Sequence, residues 1–115
     1  MGNLDEFLQN VRQWAADRDI DTQGTWMGQM EKVEEEVAEL REATENLHLD
    51  FHNDGEARQE TLEAMADAVG DTVVTLVCYC EVTGTDFLDA CWAAWNEIKD
   101  RKGRMVNGVF VKETT

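Results

Sequence analysis

No proline interrupts the 115 residues of this chain. Proline is the strongest helix breaker, because it lacks an N–H and its ring clashes with the preceding turn. Its absence leaves the apolar pattern free to specify long helices, and four can be read from period-3.6 spacing. The first spans roughly Leu4 to Arg18, with Leu4, Phe7, Leu8, Val11, Trp14 and Ala15 as one stripe. A polar loop is expected over Asp19–Gly24. The second helix starts at a Thr25 N-cap and reaches about Leu49, with Met27, Met30, Val33, Val37 and Leu40 as its seam. Asp50 to Gly55 reads as a turn. The third helix runs from about Glu56 to Val82, and its second half is apolar on nearly every face. The β-branched run Thr72 to Cys80 would also suit a strand, but Asp67 and Asp71 keep helical spacing with it. Gly84 ends this helix, and Thr85 or Asp86 caps a fourth that extends to about Lys102 along Phe87, Leu88, Cys91, Trp92, Trp95 and Ile98. Asn107-Gly108 between apolar pairs signals a short C-terminal hairpin or extended tail. The expected architecture is all-α, a four-helix bundle forming one domain over residues 1–115.

Acids outnumber bases 25 to 10, for a formal charge of -15. Such a chain lacks the Lys/Arg needed to displace counterions from a nucleic-acid polymer, and an anionic membrane surface would repel it. Apolar residues at 43% still allow a core, so an acidic disordered tail is excluded. The first ten residues show no basic and then apolar pattern, so no secretory signal is expected. The longest uncharged run, Thr72 to Cys80, is too short to span a bilayer. Cys78, Cys80 and Cys91 are odd in number without CxxC spacing, which fits free thiols in a reducing cytoplasm. Four tryptophans and a nearly uncharged helix exceed what a small core hides, so a homodimer or homotetramer is expected.

The informative stretch is Lys32-Val-Glu-Glu-Glu-Val-Ala-Glu-Leu40. Glu36 and Glu39 are i, i+3, and Glu35 and Glu39 are i, i+4. Like charges at these spacings repel unless a cation sits between them. On the next helix, Asp67 and Asp71 are also i, i+4, and Gly70 would let another backbone approach closely. If the two helices pack antiparallel, Glu36 and Glu39 face Asp67 and Asp71 in a hard-oxygen site suited to Mg²⁺ or Mn²⁺. The plain alternative is a solvated Glu face. Asp71 argues against it, since it stands at the start of the apolar run where an unpaired carboxylate is costly to bury. A second cluster, Lys99, Arg101, Lys102 and Arg104, holds four of the ten bases. Such cations suit a polyphosphate beside a metal cage, or simply the negative end of a helix.

These residues resemble the MazG-like, all-α nucleoside triphosphate pyrophosphohydrolases, a superfamily that includes phosphoribosyl-ATP pyrophosphohydrolases and dimeric dUTPases. Lys32, Glu35, Glu36, Glu39 and Leu40 fill the family's K-L-x-E-E-x-x-E-L signature, with Val33 at its second position. The family's second acidic helix carries E-x-x-D; here Ala68 stands three before Asp71, and the acid lies four before it, at Asp67. That variant resembles the phosphoribosyl-ATP-like and phage-encoded branch, as does the N-x-x-K pair Asn96 and Lys99. The resemblance runs from about Trp14 to Lys112.

What the resemblance implies is cleavage between the α- and β-phosphates of an NTP or dNTP, giving the monophosphate and pyrophosphate, in the cytoplasm (the host's, for a phage-encoded chain). Glu36, Glu39, Asp71 and Asp67 would hold divalent ions. Glu35, turned by about 100° on the helix, would act on the attacking water as base or serve as a further ligand. Lys99, with Arg101, Lys102 or Arg104, would hold the β/γ-phosphates, Asn96 would join them, and Lys32 would pair with an acid or a phosphate. Trp14 and Trp26 are candidates for a wall against the base, with core packing as their alternative. Other readings are a phosphoribosyl-ATP hydrolase and a non-catalytic acidic module that binds proteins.

Other signals are set aside. His48 and His52 are i, i+4 but sit at a helix end without the H-E-x-x-H glutamate, so they are read as a surface pair rather than zinc ligands. Asp50–Gly55 resembles a calcium loop only loosely, since position three is His52 and position twelve is Thr61.

Overall fold

The proline-free sequence folds mostly into helices, the class its apolar periodicity leads one to expect. In a computed structural model that describes residues 2–114, most of the chain is helical: α1 (Leu4–Asp17), α2 (Ile20–Gln23), α3 (Trp26–Asp54), α4 (Gln59–Thr83) and α5 (Phe87–Ile98), followed by strands β1 (Gly103–Val106) and β2 (Val109–Lys112). No helix among the described residues is long and apolar enough to cross a membrane. The chain divides into two compact units, Met1–Thr85 and Asp86–Thr115.

The first unit is dominated by a helical hairpin of α3 and α4. Asp50 meets Arg58, Glu36 meets Asp71, and Gly24 meets Val82. Each step back along α3 is matched by a step forward along α4, so the two run antiparallel. The facing edge of α3 is Val33, Glu36, Leu40, Ala43, Leu47 and Asp50, all buried or half-buried and spaced alternately by three and four. That is the repeat by which two helices pack along a shared seam. The expected seam is therefore rotated: Met27 and Val37 are exposed.

Boundaries depart from the sequence reading for identifiable reasons. The stretch expected as a turn, Asp50–Asp54, continues α3, because Gly55 (φ +74) supplies the left-handed cap only at its end. There the Asp50 carboxylate reaches over the turn to accept the Arg58 N–H at 3.0 Å, which ties the start of α4 to α3. The loop expected over Asp19–Gly24 contains the short helix α2, entered through Asp19 at φ +60. Thr25 and Asp86 cap as expected, accepting from Gly28 and Asp89 at 3.0 and 2.9 Å. Helix α5 stops at Ile98, four residues early, because the chain turns into β1.

Helix α1 lies on α4, with Arg12 paired to Glu81 at 3.6 Å. Its stripe buries Leu8, Val11 and Ala15, while Leu4, Phe7 and Trp14 stay on the exposed margin. On α4 the apolar half buries Val77, Cys78 and Cys80. Leu8 is 1% exposed. Leu8→Ala is therefore expected to cost about 2–5 kcal/mol by lost burial and cavity formation, read as a lower urea midpoint with an unchanged slope.

The second unit is α5 and an antiparallel hairpin in which Arg104 pairs with Val111 and Met105 with Phe110. Asn107 (φ +49) and Gly108 (φ +85) form the two-residue turn, both in the left-handed region that such hairpins require. A Cβ on Gly103 would meet the Phe110 ring, so the aromatic covers the bare backbone opposite it. No residue of α5 is buried, and both strands are exposed throughout.

Candidate metal centre

The α3 seam carries a carboxylate where an apolar side chain would ordinarily stand. Glu36 is drawn toward α4 by its seam position, Glu39 follows one turn later, and Asp71 comes across from α4. One oxygen from each of the three lies within 4.8 Å of the others. Ligand oxygens around Mg²⁺ at 2.0–2.1 Å sit at most about 4.2 Å apart, so a small closing of the side chains completes a coordination face. Glu36 is half-buried, while Glu39 and Asp71 are exposed. The sheltered acid is thus Glu36 and not, as its place before the apolar run suggested, Asp71.

Glu36 Oε2 is buried with no hydrogen-bond partner. A buried lone oxygen of this kind is costly unless something satisfies it. Burial first, then the adjacent Glu39 carboxyl, then the charges of Asp71 and Glu35, push the Glu36 carboxyl above its ordinary value of 4.5. Each of these causes penalises the anion, and a divalent cation opposes each of them. Hard carboxylate oxygens are also the donor type that Mg²⁺ and Mn²⁺ prefer. The residues present fit such an ion.

The direction of the shift sets a pH dependence. A carboxyl raised on folding lends stability below its unfolded value that is lost as pH rises through the folded one. The metal-free chain is expected to lose Glu36-dependent stability as pH climbs above about 4.5, and added Mg²⁺ to restore it on the alkaline side. Asp50 behaves oppositely. The Thr61 hydroxyl, the Arg58 N–H and the Arg58 guanidinium hold its carboxyl below the ordinary 3.8. Its contribution persists above that value and fades as pH falls through the lowered one. Thermal melts of wild type, Glu36→Gln and Asp50→Asn across pH separate the two windows.

Other residues singled out by sequence fall elsewhere. Glu35 is not one of the converging three and pairs with Lys32 at 3.1 Å. Asp67 is exposed and not part of the group. Gly70 faces open space, so no neighbouring backbone explains the glycine. Trp14 and Trp26 are 44% and 69% exposed, so core packing accounts for neither, and Arg18 lies over the Trp14 ring at 4.3 Å. His48 and His52 are exposed, as a surface pair should be. Asn96, Lys99, Arg101, Lys102 and Arg104 all belong to the second unit. There Arg101 pairs with Glu97 at 3.1 Å and, with Lys102, Arg104 and Lys112, borders an open cleft of about 750 Å³. Glu36 faces the next helix as expected, whereas Asp50, expected in a turn, is a seam residue. The signal for Asp50 was present in the three-four spacing from Val33, hidden because the position is charged.

Comparison with protein-family models, with curated proteins and with solved structures finds no match to this chain.

Proposed function

We propose that the chain is a self-associating, metal-dependent nucleoside triphosphate pyrophosphohydrolase of the MazG-like kind, releasing pyrophosphate and a monophosphate, with dNTPs as the favoured class. The observation that carries the proposal is the convergence of Glu36, Glu39 and Asp71 around a buried carboxylate oxygen without a partner. In this reading these three hold Mg²⁺ or Mn²⁺. The bound ion supplies Lewis-acid polarisation of phosphate oxygens and lowers the pKa of water. Glu35, beside the trio but outside it and paired with Lys32, takes the proton from the attacking water. Lys99, Arg101, Lys102 and Arg104 have the charge that phosphates attract, Asn96 joins them only through the family's N-x-x-K pattern, and exposure makes Trp14 and Trp26 available to a base.

The test is a panel of NTPs and dNTPs incubated with the full chain and Mg²⁺, with products identified. Pyrophosphate with the matching monophosphate supports the reading. Orthophosphate with a diphosphate places cleavage at the wrong bond and contradicts it. No turnover, with no thermal stabilisation by metal plus nucleotide, leaves an acidic helical module that binds other proteins.

A further inference from the structure

The hairpin that follows α5 brings two stretches of chain, 101–104 and 110–114, around the open cleft of about 750 Å³. Every residue of its lining belongs to the second unit, and the volume is that of a small-molecule site. Arg101, Lys102, Arg104 and Lys112 border it, with Glu113 as the one acid. Glu97 engages Arg101 at 3.1 Å. Among the described residues, Lys102, Arg104 and Lys112 make no ion pair within the unit. Asp100 adjoins Arg101 in sequence but does not line the cleft. Asp86 and Asp89 stand at the other end of α5, at least about 15 Å along its axis. The unit's five acids and five bases cancel in sum, yet the cleft itself is positive.

Strand register shapes the opening. Gly103 stands opposite Lys112 and Arg104 opposite Val111, so Lys112 and Arg104 rise from opposite faces of the ladder and reach the cleft from two sides. A Cβ at Gly103 would run into the Phe110 ring and the Val111 carbonyl, so the glycine leaves space that any other residue would fill. We propose that this cleft is a metal-independent site for a short polyphosphate, either the tail of a nucleotide or the free inorganic anion. Three unengaged cations around one small cleft match the charge density of linked phosphates, and the Arg104 fork offers two parallel donors to one of them. An acidic peptide spreads its carboxylates along a backbone that the cleft would also have to hold. The inference deepens the reading above and rests on it for the link to a nucleotide. It adds Lys112 to the anion's partners and needs no metal to hold the anion.

Isothermal titration of the full chain with tripolyphosphate, at low salt and in excess EDTA, tests it. Without metal the acidic trio repels the anion, so uptake reports the cleft. Saturable binding is expected, weaker for pyrophosphate and orthophosphate in turn, and falling as salt is added. Lys112→Glu lowers affinity about 10- to 100-fold, the range for losing a hydrogen bond to a charged group. Arg104→Gln, on the opposite face, lowers it by a similar factor, and Lys112→Arg keeps it. Equal affinity for a dNTP and for tripolyphosphate supports the free anion as occupant, and tighter dNTP binding supports the nucleotide tail. A tetraglutamate peptide that binds as tightly as tripolyphosphate overturns the choice of ligand. No saturable binding, or binding that both Lys112→Glu and Arg104→Gln leave unchanged, overturns the site, while Mg²⁺-dependent pyrophosphate release would still stand. Tripolyphosphate binding by a chain that turns over no nucleotide keeps the cleft and overturns the reading above.

Discussion

Glu36→Gln is expected to abolish turnover while making the metal-free chain more stable. Glutamine keeps the shape of the side chain but removes a carboxylate that burial, Glu39, Asp71 and Glu35 all disfavour as an anion. Without a cation, the trio is a point of stored repulsion in the α3–α4 seam, and the neutral amide relieves it. With a cation, the same substitution removes a ligand. Altering residues that merely orient ligands costs 10–100-fold, so losing a direct ligand lowers metal-dependent pyrophosphate release at least roughly 100-fold. Melting temperature without metal rises above the wild-type value at neutral pH, and the gain on adding Mg²⁺ shrinks. An ordinary structural glutamate gives the reverse pattern, with a lower metal-free melting temperature and unchanged turnover. The two readouts move in opposite directions only if Glu36 is held at a cost that a cation offsets.

Glu35→Gln separates chemistry from metal binding. Glu35 stands next to the trio in sequence but is not one of the converging three and pairs with Lys32 at 3.1 Å. Its substitution leaves the three converging oxygens in place, so Mn²⁺ affinity is expected to stay near wild type. Turnover falls by about 10²–10⁴-fold, the contribution of a positioned general base. Collapse of Mn²⁺ affinity together with turnover would make Glu35 a ligand, and unchanged turnover would remove it from the mechanism. The pH profile gives an independent readout: a lost base flattens the acidic limb of the rate, whereas a lost ligand shifts the metal concentration required.

Much of this arrangement is legible before folding, because it depends on local periodicity. The existence and order of α1, α3, α4 and α5 follow from apolar spacing in a chain without proline, and Thr25, Asp86 and the Asn107-Gly108 turn mark boundaries through their own backbone chemistry, while the ends of α3 and α5 do not follow from it. Seam rotation is less legible, because apolar spacing alone points to Met27 and Val37 while the packed edge includes Glu36 and Asp50. A charged residue in a seam is visible only once the partner helix supplies Asp71 or Arg58. The pairing of Glu36 and Glu39 follows from helical geometry, and the arrival of Asp71 follows from the short connection between α3 and α4. That Asp67 stays outside does not follow from spacing, since it shares a face with Asp71 one turn away.

The claim beneath all of this is that Glu36, Glu39 and Asp71 form a place where a divalent cation binds. Titration of the full chain with Mn²⁺, followed by electron paramagnetic resonance of the free ion, measures it without reference to any substrate. Saturable uptake that Asp71→Asn weakens, though Asp71 lies on a different helix from the two glutamates, is the expected result. Uptake that never saturates, or that Asp71→Asn leaves unchanged, would mean that these acids are only a charged seam.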